Sequence, residues 1–223
     1  MDKQLAKKAG IRFGIGLLAV MLLVFLPAGT LAYAGGWRFL GVLFLPMLAV
    51  GLLLLKKNPE LLKKRLENKE QQKAQKLVVL LSILMFAGGF IIAGLDFRFE
   101  ILQLAPWISH IAAIIFLIGY AMYAEVLREN AYLSRTVKVD AGQKVVDTGL
   151  YRIVRHPMYT ATILMFTMIP LVLGSVIALP VFLIYPFLIV KRIGNEEAVL
   201  EKELDGYQEY KRKVKYRLFP RIW

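Results

Sequence analysis

The 223-residue chain contains no cysteine, so disulfides, iron–sulfur clusters and thiolate zinc sites are all excluded. Its only histidines are His110 and His156, too few for a histidine-based metal cluster. No G-x-G-x-x-G loop is present, which argues against a soluble nucleotide-binding fold. There is no internal repeat and no low-complexity stretch. Acidic residues are scarce beside basic ones, 16 against 29, for a formal net charge of +13. In a soluble protein that balance would suggest nucleic acid. Here topology and anionic lipid headgroups account for it, and no nucleic-acid partner is expected.

Apolar sequence is abundant, at 58% hydrophobic residues. Uncharged runs cover 13–37, 39–55, 77–95, 101–124 and 158–190. About 20 apolar residues cross a bilayer, so the chain reads as an all-α, polytopic helical membrane protein. The first run is too long, and has too many successors, to be a removable signal peptide. The last run holds 33 residues; as one straight helix it would be roughly 50 Å long, more than a hydrocarbon core of about 30 Å. Pro170, Gly174, Ser175 and Pro180 lie near its middle, where proline breaks the helical hydrogen-bond ladder. The expectation is therefore four spanning helices followed by a hairpin of two short helices, 158–171 and 176–190, and a tail helix. The division expected is a four-helix region at 1–127 and a C-terminal half at 128–223.

The placement of charge orients the chain. The N-terminus, the 56–76 segment, the 128–157 segment and the tail carry 27 of the 29 Lys and Arg residues; the other side keeps only Arg38 and Arg98. The positive-inside rule then puts both termini in the cytoplasm. The compactness of the chain points to a prokaryotic plasma membrane.

Between the first two helices, the glycines of "AYAGGWR" (32–38) suit a tight turn and Trp37 an interfacial anchor. The 56–76 segment reads as a solvated connector, although Leu61, Leu62 and Leu66 offer an apolar edge to a surface-lying helix. His110, within the fourth span, reads as an interhelical hydrogen-bond partner. In the tail, Leu200, Leu204, Tyr207, Tyr210 and Val214 recur at helical spacing and draw one stripe, with Gly206 weakening the helix.

Three polar groups converge on the cytoplasmic side: Arg155-His156-Pro157-Met158-Tyr159, then Arg192 with Glu196 and Glu197, then Tyr207, Tyr210, Arg217 and Pro220. The hairpin starts and ends at one membrane face, so His156 and Glu196 should be spatial neighbours. Pro157 suits the first helical turn, which sets Arg155 and His156 at a helix N-terminus that attracts a carboxylate. Glu196 and Glu197 offer acceptors to an ammonium or a ribose diol. A basic corner and an acidic corner together match a zwitterionic ligand carrying a sugar.

"RHPMY", "NEEAVL" and "GYQEYKRKVKYRLFP" together resemble the isoprenylcysteine carboxyl methyltransferase family, to which phospholipid N-methyltransferases are related. The matching positions run from Gly149 to Pro220, with the resemblance covering about 128–223. The resemblance implies an integral membrane methyltransferase that uses S-adenosyl-L-methionine on the polar end of a lipophilic or prenylated substrate, an isoprenylcysteine-like carboxylate being favoured. It implies that Gln143, Lys144, Val145, Val146, Tyr151, His156, Pro157, Met158, Tyr159, Glu196 and Glu197 bind the cofactor. Arg192 and Arg155 become catalytic candidates, with Arg192 and Arg217 facing the substrate and no metal. The chain departs from the family pattern at Ala161, where glycine is common, and at "VKVDAG" before Gln143. Competing readings are an NADPH-dependent membrane reductase and a non-catalytic lipid-binding membrane protein.

Overall fold

A computed structural model of the chain describes residues 2–66, 73–102, 104–134 and 136–223. Its first four long helices are α1 (Lys3–Ala28), α2 (Ala34–Lys57), α4 (Lys73–Phe99) and α5 (Pro106–Glu129), with a short α3 (Pro59–Arg65) after α2. The four long helices are each long and apolar enough to cross a membrane. α1 starts where the Asp2 carboxylate accepts from the Gln4 and Leu5 amides, and stops at Gly29, whose φ of 71° ends a helix without Cβ strain. Ile11, Ile15, Leu18, Leu22 and Leu26 stay exposed along it at helical spacing, a stripe suited to lipid. Behind such stripes lies one aromatic core: Phe39 packs on Phe90 and Phe116, and Phe86 on Phe166 of the hairpin.

The hairpin forms as α6 (Pro157–Leu173), a one-turn α7 (Leu179–Phe182) and α8 (Ile184–Glu203). The break comes at Gly174, at φ 88°, while Pro170 is held inside α6. α8 does not stop at 190 but continues to Glu203, carrying Arg192, Glu196 and Glu197 beyond the apolar segment. Its partner α6 lies closely on α5, where a Cβ on Gly119 would approach Met165 to 2.7 Å. Ala161 is completely buried at the same crossing.

The bend of the hairpin reaches the α1–α2 and α4–α5 connections at the opposite end of the bundle. The last carbonyls of a helix lack intrahelical donors, and hydrocarbon supplies none. Here the Tyr33 hydroxyl donates to the Leu173 carbonyl (2.7 Å) and Arg38 to that of Val172 (3.2 Å). The Ser175 hydroxyl donates to buried Asp96 (2.5 Å), whose other oxygen accepts from the Leu102 amide.

Several local expectations change. The "AYAGGWR" glycines do not form the turn; α2 has already begun at Ala34, and Gly35 allows the backbones of α2 and α6 to approach. His110 is exposed on α5 rather than set between helices. The described part of the 56–76 segment is not a solvated connector: α3 buries Leu61 and Leu62, as its apolar edge allows. Residues 67–72 of that segment lie outside the described residues. The tail stripe belongs to two helices, because the chain breaks at Gly206 (φ 81°) before α9 (Tyr207–Lys213). Its members still meet, with Leu204, Tyr207, Tyr210 and Val214 forming one cluster against Val139 and Val145.

A Cβ at Gly35 would stand 2.2 Å from the Leu173 carbonyl oxygen, a backbone atom that cannot rotate away. Gly35→Ala is expected to destabilise the protein by about 1–3 kcal/mol, seen as a lower unfolding temperature in detergent. Gly41→Ala, with open space around its Cβ, serves as the control and should not lower it.

Candidate active site

The polar groups that flank the hairpin are organised by Glu197, which is 2% exposed. Its Oε1 accepts from Arg155 Nε at 2.8 Å and lies 3.1 Å from His156 Nε2, and its Oε2 accepts from Arg217 Nε at 2.9 Å. An ionised carboxylate only accepts, so the His156 bond requires a proton on Nε2. Arg155 also reaches the tail, where Nη1 meets the carbonyls of Val214 (2.7 Å) and Lys215 (2.8 Å). The backbone amides of Arg155 and His156 donate to the Tyr216 and Arg217 carbonyls, and the Thr160 hydroxyl to that of Leu218.

The helix N-terminus read as a carboxylate site is therefore occupied by the chain's own tail and its own glutamate. The basic and acidic corners do not stand apart: Glu197 fills the basic one. The convergence of α6 and α8 is as the sequence predicts, but His156 meets Glu197, and Glu196 meets Tyr159. Burial would raise the Glu197 carboxyl, yet the hydrogen bonds from His156, Arg217 and Arg155 outweigh it and hold it well below the ordinary carboxylate range.

Beside this hub lies a pocket between the 130–146 segment and the ends of α6, α8 and α9. Gln143, Lys144, Val145, Val146, Tyr151, His156, Met158, Tyr159, Arg192 and Glu196 all line it. Arg155 lines it too, with its Nε directed to Glu197 and its Nη1 to the tail. Pro157, buried in the first turn of α6, does not line the pocket, and neither do Glu197 of α8 and Arg217 of the tail. Gln143 fixes its own segment by accepting from the Asp140 amide at 3.0 Å.

One wall carries a polar relay. The Tyr159 hydroxyl donates to Glu196 and accepts from Arg192 Nε (2.9 Å), with the Arg192 guanidinium 5.9 Å from the ring centroid. Gln75 of α4 donates to the Arg192 carbonyl at 3.2 Å, tying that turn to the bundle. The opposite wall is supported by Tyr210, whose hydroxyl donates to the Tyr151 carbonyl (2.7 Å), and by Asn130, which donates to the Tyr151 hydroxyl (2.9 Å). Tyr207 also lines the pocket; its hydroxyl is buried with no hydrogen-bond partner among the described residues. Burial, then the Glu197 charge, raises its pKa, so it stays a neutral donor. The sequence shows Tyr207 and Tyr210 as a stripe but not the polar role of Asn130, Ser134 and Thr136, which lie in a loop without a periodic signal.

Replacing Glu197 by Ala leaves buried Arg155 without its counter-charge, a loss of about 3–5 kcal/mol. Thermal unfolding in detergent should show it, with faster proteolysis of the tail. The folded-state carboxyl lies below its ordinary value, so this contribution is complete above the ordinary carboxylate range. It is lost only as pH falls through that range toward the lowered value. Titration from pH 7 to pH 5 should therefore leave the tail docked, and release should require stronger acid.

The segment that builds these walls also has a family signature. Residues 111–202, from α5 to the end of α8, match the family model described as the isoprenylcysteine carboxyl methyltransferase (ICMT) family. The resemblance carried by "RHPMY" and "NEEAVL" is thereby borne out, and with four membrane-length apolar helices the match supports a membrane methyltransferase.

Proposed function

We propose that the chain transfers a methyl group from S-adenosyl-L-methionine to the carboxylate of a lipophilic, isoprenylcysteine-like acceptor at the cytoplasmic boundary of the membrane. The observation that carries this reading is the Glu196–Tyr159–Arg192 relay, which joins an acidic group to a cationic one along one wall of the pocket. The donor set fits the cofactor. Glu196 is only half-buried and would accept from an ammonium or ribose hydroxyl. Tyr207 has an unused buried hydroxyl, and Val145, Val146 and Leu200 offer apolar contact to a base. When bound, S-adenosyl-L-methionine supplies an electrophilic methyl group on sulfur.

The residues then have a simple task. A carboxylate is already ionised at neutral pH and needs no base. Arg192 holds it without being able to lose its own proton. Alignment supplies most of the rate in such a displacement, and Tyr159 sets Arg192 relative to Glu196. Residues within 130–134 and 136–146 line the pocket, and bound ligands that displace water from it would strengthen the pairing. Arg155, His156, Glu197 and Arg217 act as positioning residues that hold the tail, and with it Tyr207 and Tyr210, against the hairpin. Cytoplasmic placement rests on the 27 basic residues at this end, and the lipid part of the acceptor enters laterally between helices.

The test is transfer of labelled methyl from S-adenosyl-L-methionine to N-acetyl-S-farnesylcysteine by the purified protein. Arg192→Ala is expected to lower turnover about 100-fold or more while S-adenosylhomocysteine affinity stays within a few-fold. Glu196→Ala should weaken that affinity about tenfold, the loss of one charged hydrogen bond. No transfer to any lipid acid by the folded protein would contradict the proposal.

A further inference from the structure

A second arginine, from a part of the chain outside the family match, stands behind the pocket lining and contacts two of its residues. Arg65, the last residue of α3, is half-buried. Its Nη2 donates to the Tyr123 hydroxyl at 2.5 Å and its Nη1 to the Ser134 carbonyl at 3.0 Å, with Met158 Sδ at 3.9 Å. Its guanidinium carbon lies 5.6 Å from the Tyr123 ring centroid. Ser134 and Met158 line the pocket. Every one of these partners is neutral, and among the described residues no carboxylate pairs with Arg65.

Arg192 meets the neighbouring residue in a similar way, bonded to the Tyr159 hydroxyl and set over its ring. Two guanidiniums thus approach the consecutive residues Met158 and Tyr159, on the first turn of α6, from α3 and from α8. One turn deeper, the Tyr185 hydroxyl donates to Thr162 at 3.1 Å, so polar groups continue toward the apolar core. A half-buried guanidinium with only neutral partners is unfavourable unless an anion completes it. Stacking on a tyrosine restricts its fork, and a restricted fork matches a carboxylate.

We infer that Arg65 is a substrate-binding residue that holds the acceptor's carboxylate together with Arg192, and that this pair selects an acid over an amine. The inference rests on the methyltransferase reading and deepens it by naming what distinguishes one acceptor class from another. A protonated amine would meet two cations, whereas an acid meets two donors. The α3 helix is held for this purpose by buried Leu61 and Leu62, and by a Lys64–Asp140 ion pair (2.5 Å) to the segment that lines the pocket.

The experiment measures equilibrium binding of N-acetyl-S-farnesylcysteine and of its carboxamide to detergent-purified protein, beside steady-state turnover. Wild type should prefer the acid by about tenfold or more. Arg65→Met should abolish that preference and raise KM for the acid, with S-adenosylhomocysteine affinity within about threefold of wild type. Arg65→Lys, which keeps the charge, should retain part of the preference, and Arg65→Gln should not. The Lys–Gln comparison decides the matter if the Met variant does not fold. Equal loss in the Lys and Gln variants, or an unchanged preference in Arg65→Met, overturns the inference. So does an unchanged KM accompanied by lost dependence of activity on added phosphatidylglycerol, which would assign Arg65 to a lipid phosphate. An Arg65-dependent preference for the acid without any methyl transfer would uphold the site and remove the methyltransferase reading instead.

Discussion

The arrangement at the site end depends on one buried carboxylate. Glu197 stands where α6 begins, where α8 leaves the apolar region and where the tail returns, and it meets a cation or a histidine from each neighbouring strand of chain. Two charged arginines are too strongly hydrated to be buried alone, and a buried glutamate is equally unfavourable. Together they form a joint in which each removes the reason for the others to stay in water. The tail can then close the pocket with Tyr207 and Tyr210 although α9 has only seven residues and little stability of its own.

The opposite end solves a different problem with different chemistry. A hairpin that turns inside an apolar bundle leaves helix-end carbonyls without donors, and Tyr33, Arg38 and the Asp96–Ser175 pair supply what is needed. The bend is therefore fixed from outside the hairpin, by residues of the α1–α2 and α4–α5 connections. With both ends fixed, the first turn of α6 becomes a rigid platform. Met158 and Tyr159 stand on it, and the groups read here as meeting cofactor and acceptor are arranged around them.

Much of this is legible in the sequence because the strongest signals are long. Uncharged runs show the spans, the 33-residue run shows the hairpin, and "RHPMY" with "NEEAVL" brings α6 and α8 to one site. What the sequence hides is partner choice at the scale of one residue. Glu196 and Glu197 look equivalent as letters, yet a 100° step along α8 sends one to Tyr159 and the other into the Arg155–His156–Arg217 joint. The glycines of "AYAGGWR" look like a turn because helix packing and turning both call for a missing Cβ. Arg65 is hidden by its neighbours: five basic residues at Lys56, Lys57, Lys63, Lys64 and Arg65 read as topology, and only the structure, with Leu61 and Leu62 buried, sets the last of them against Ser134 and Met158 of the pocket lining.

The central claim is that the pocket beside the Glu197 joint accepts S-adenosyl-L-methionine. It is tested most directly by calorimetric titration of the detergent-purified chain with S-adenosylhomocysteine, beside NADPH under the same conditions. The account predicts micromolar binding of S-adenosylhomocysteine at one site per chain and no heat from NADPH. Binding of NADPH instead, or of neither by a protein that unfolds cooperatively, would contradict it.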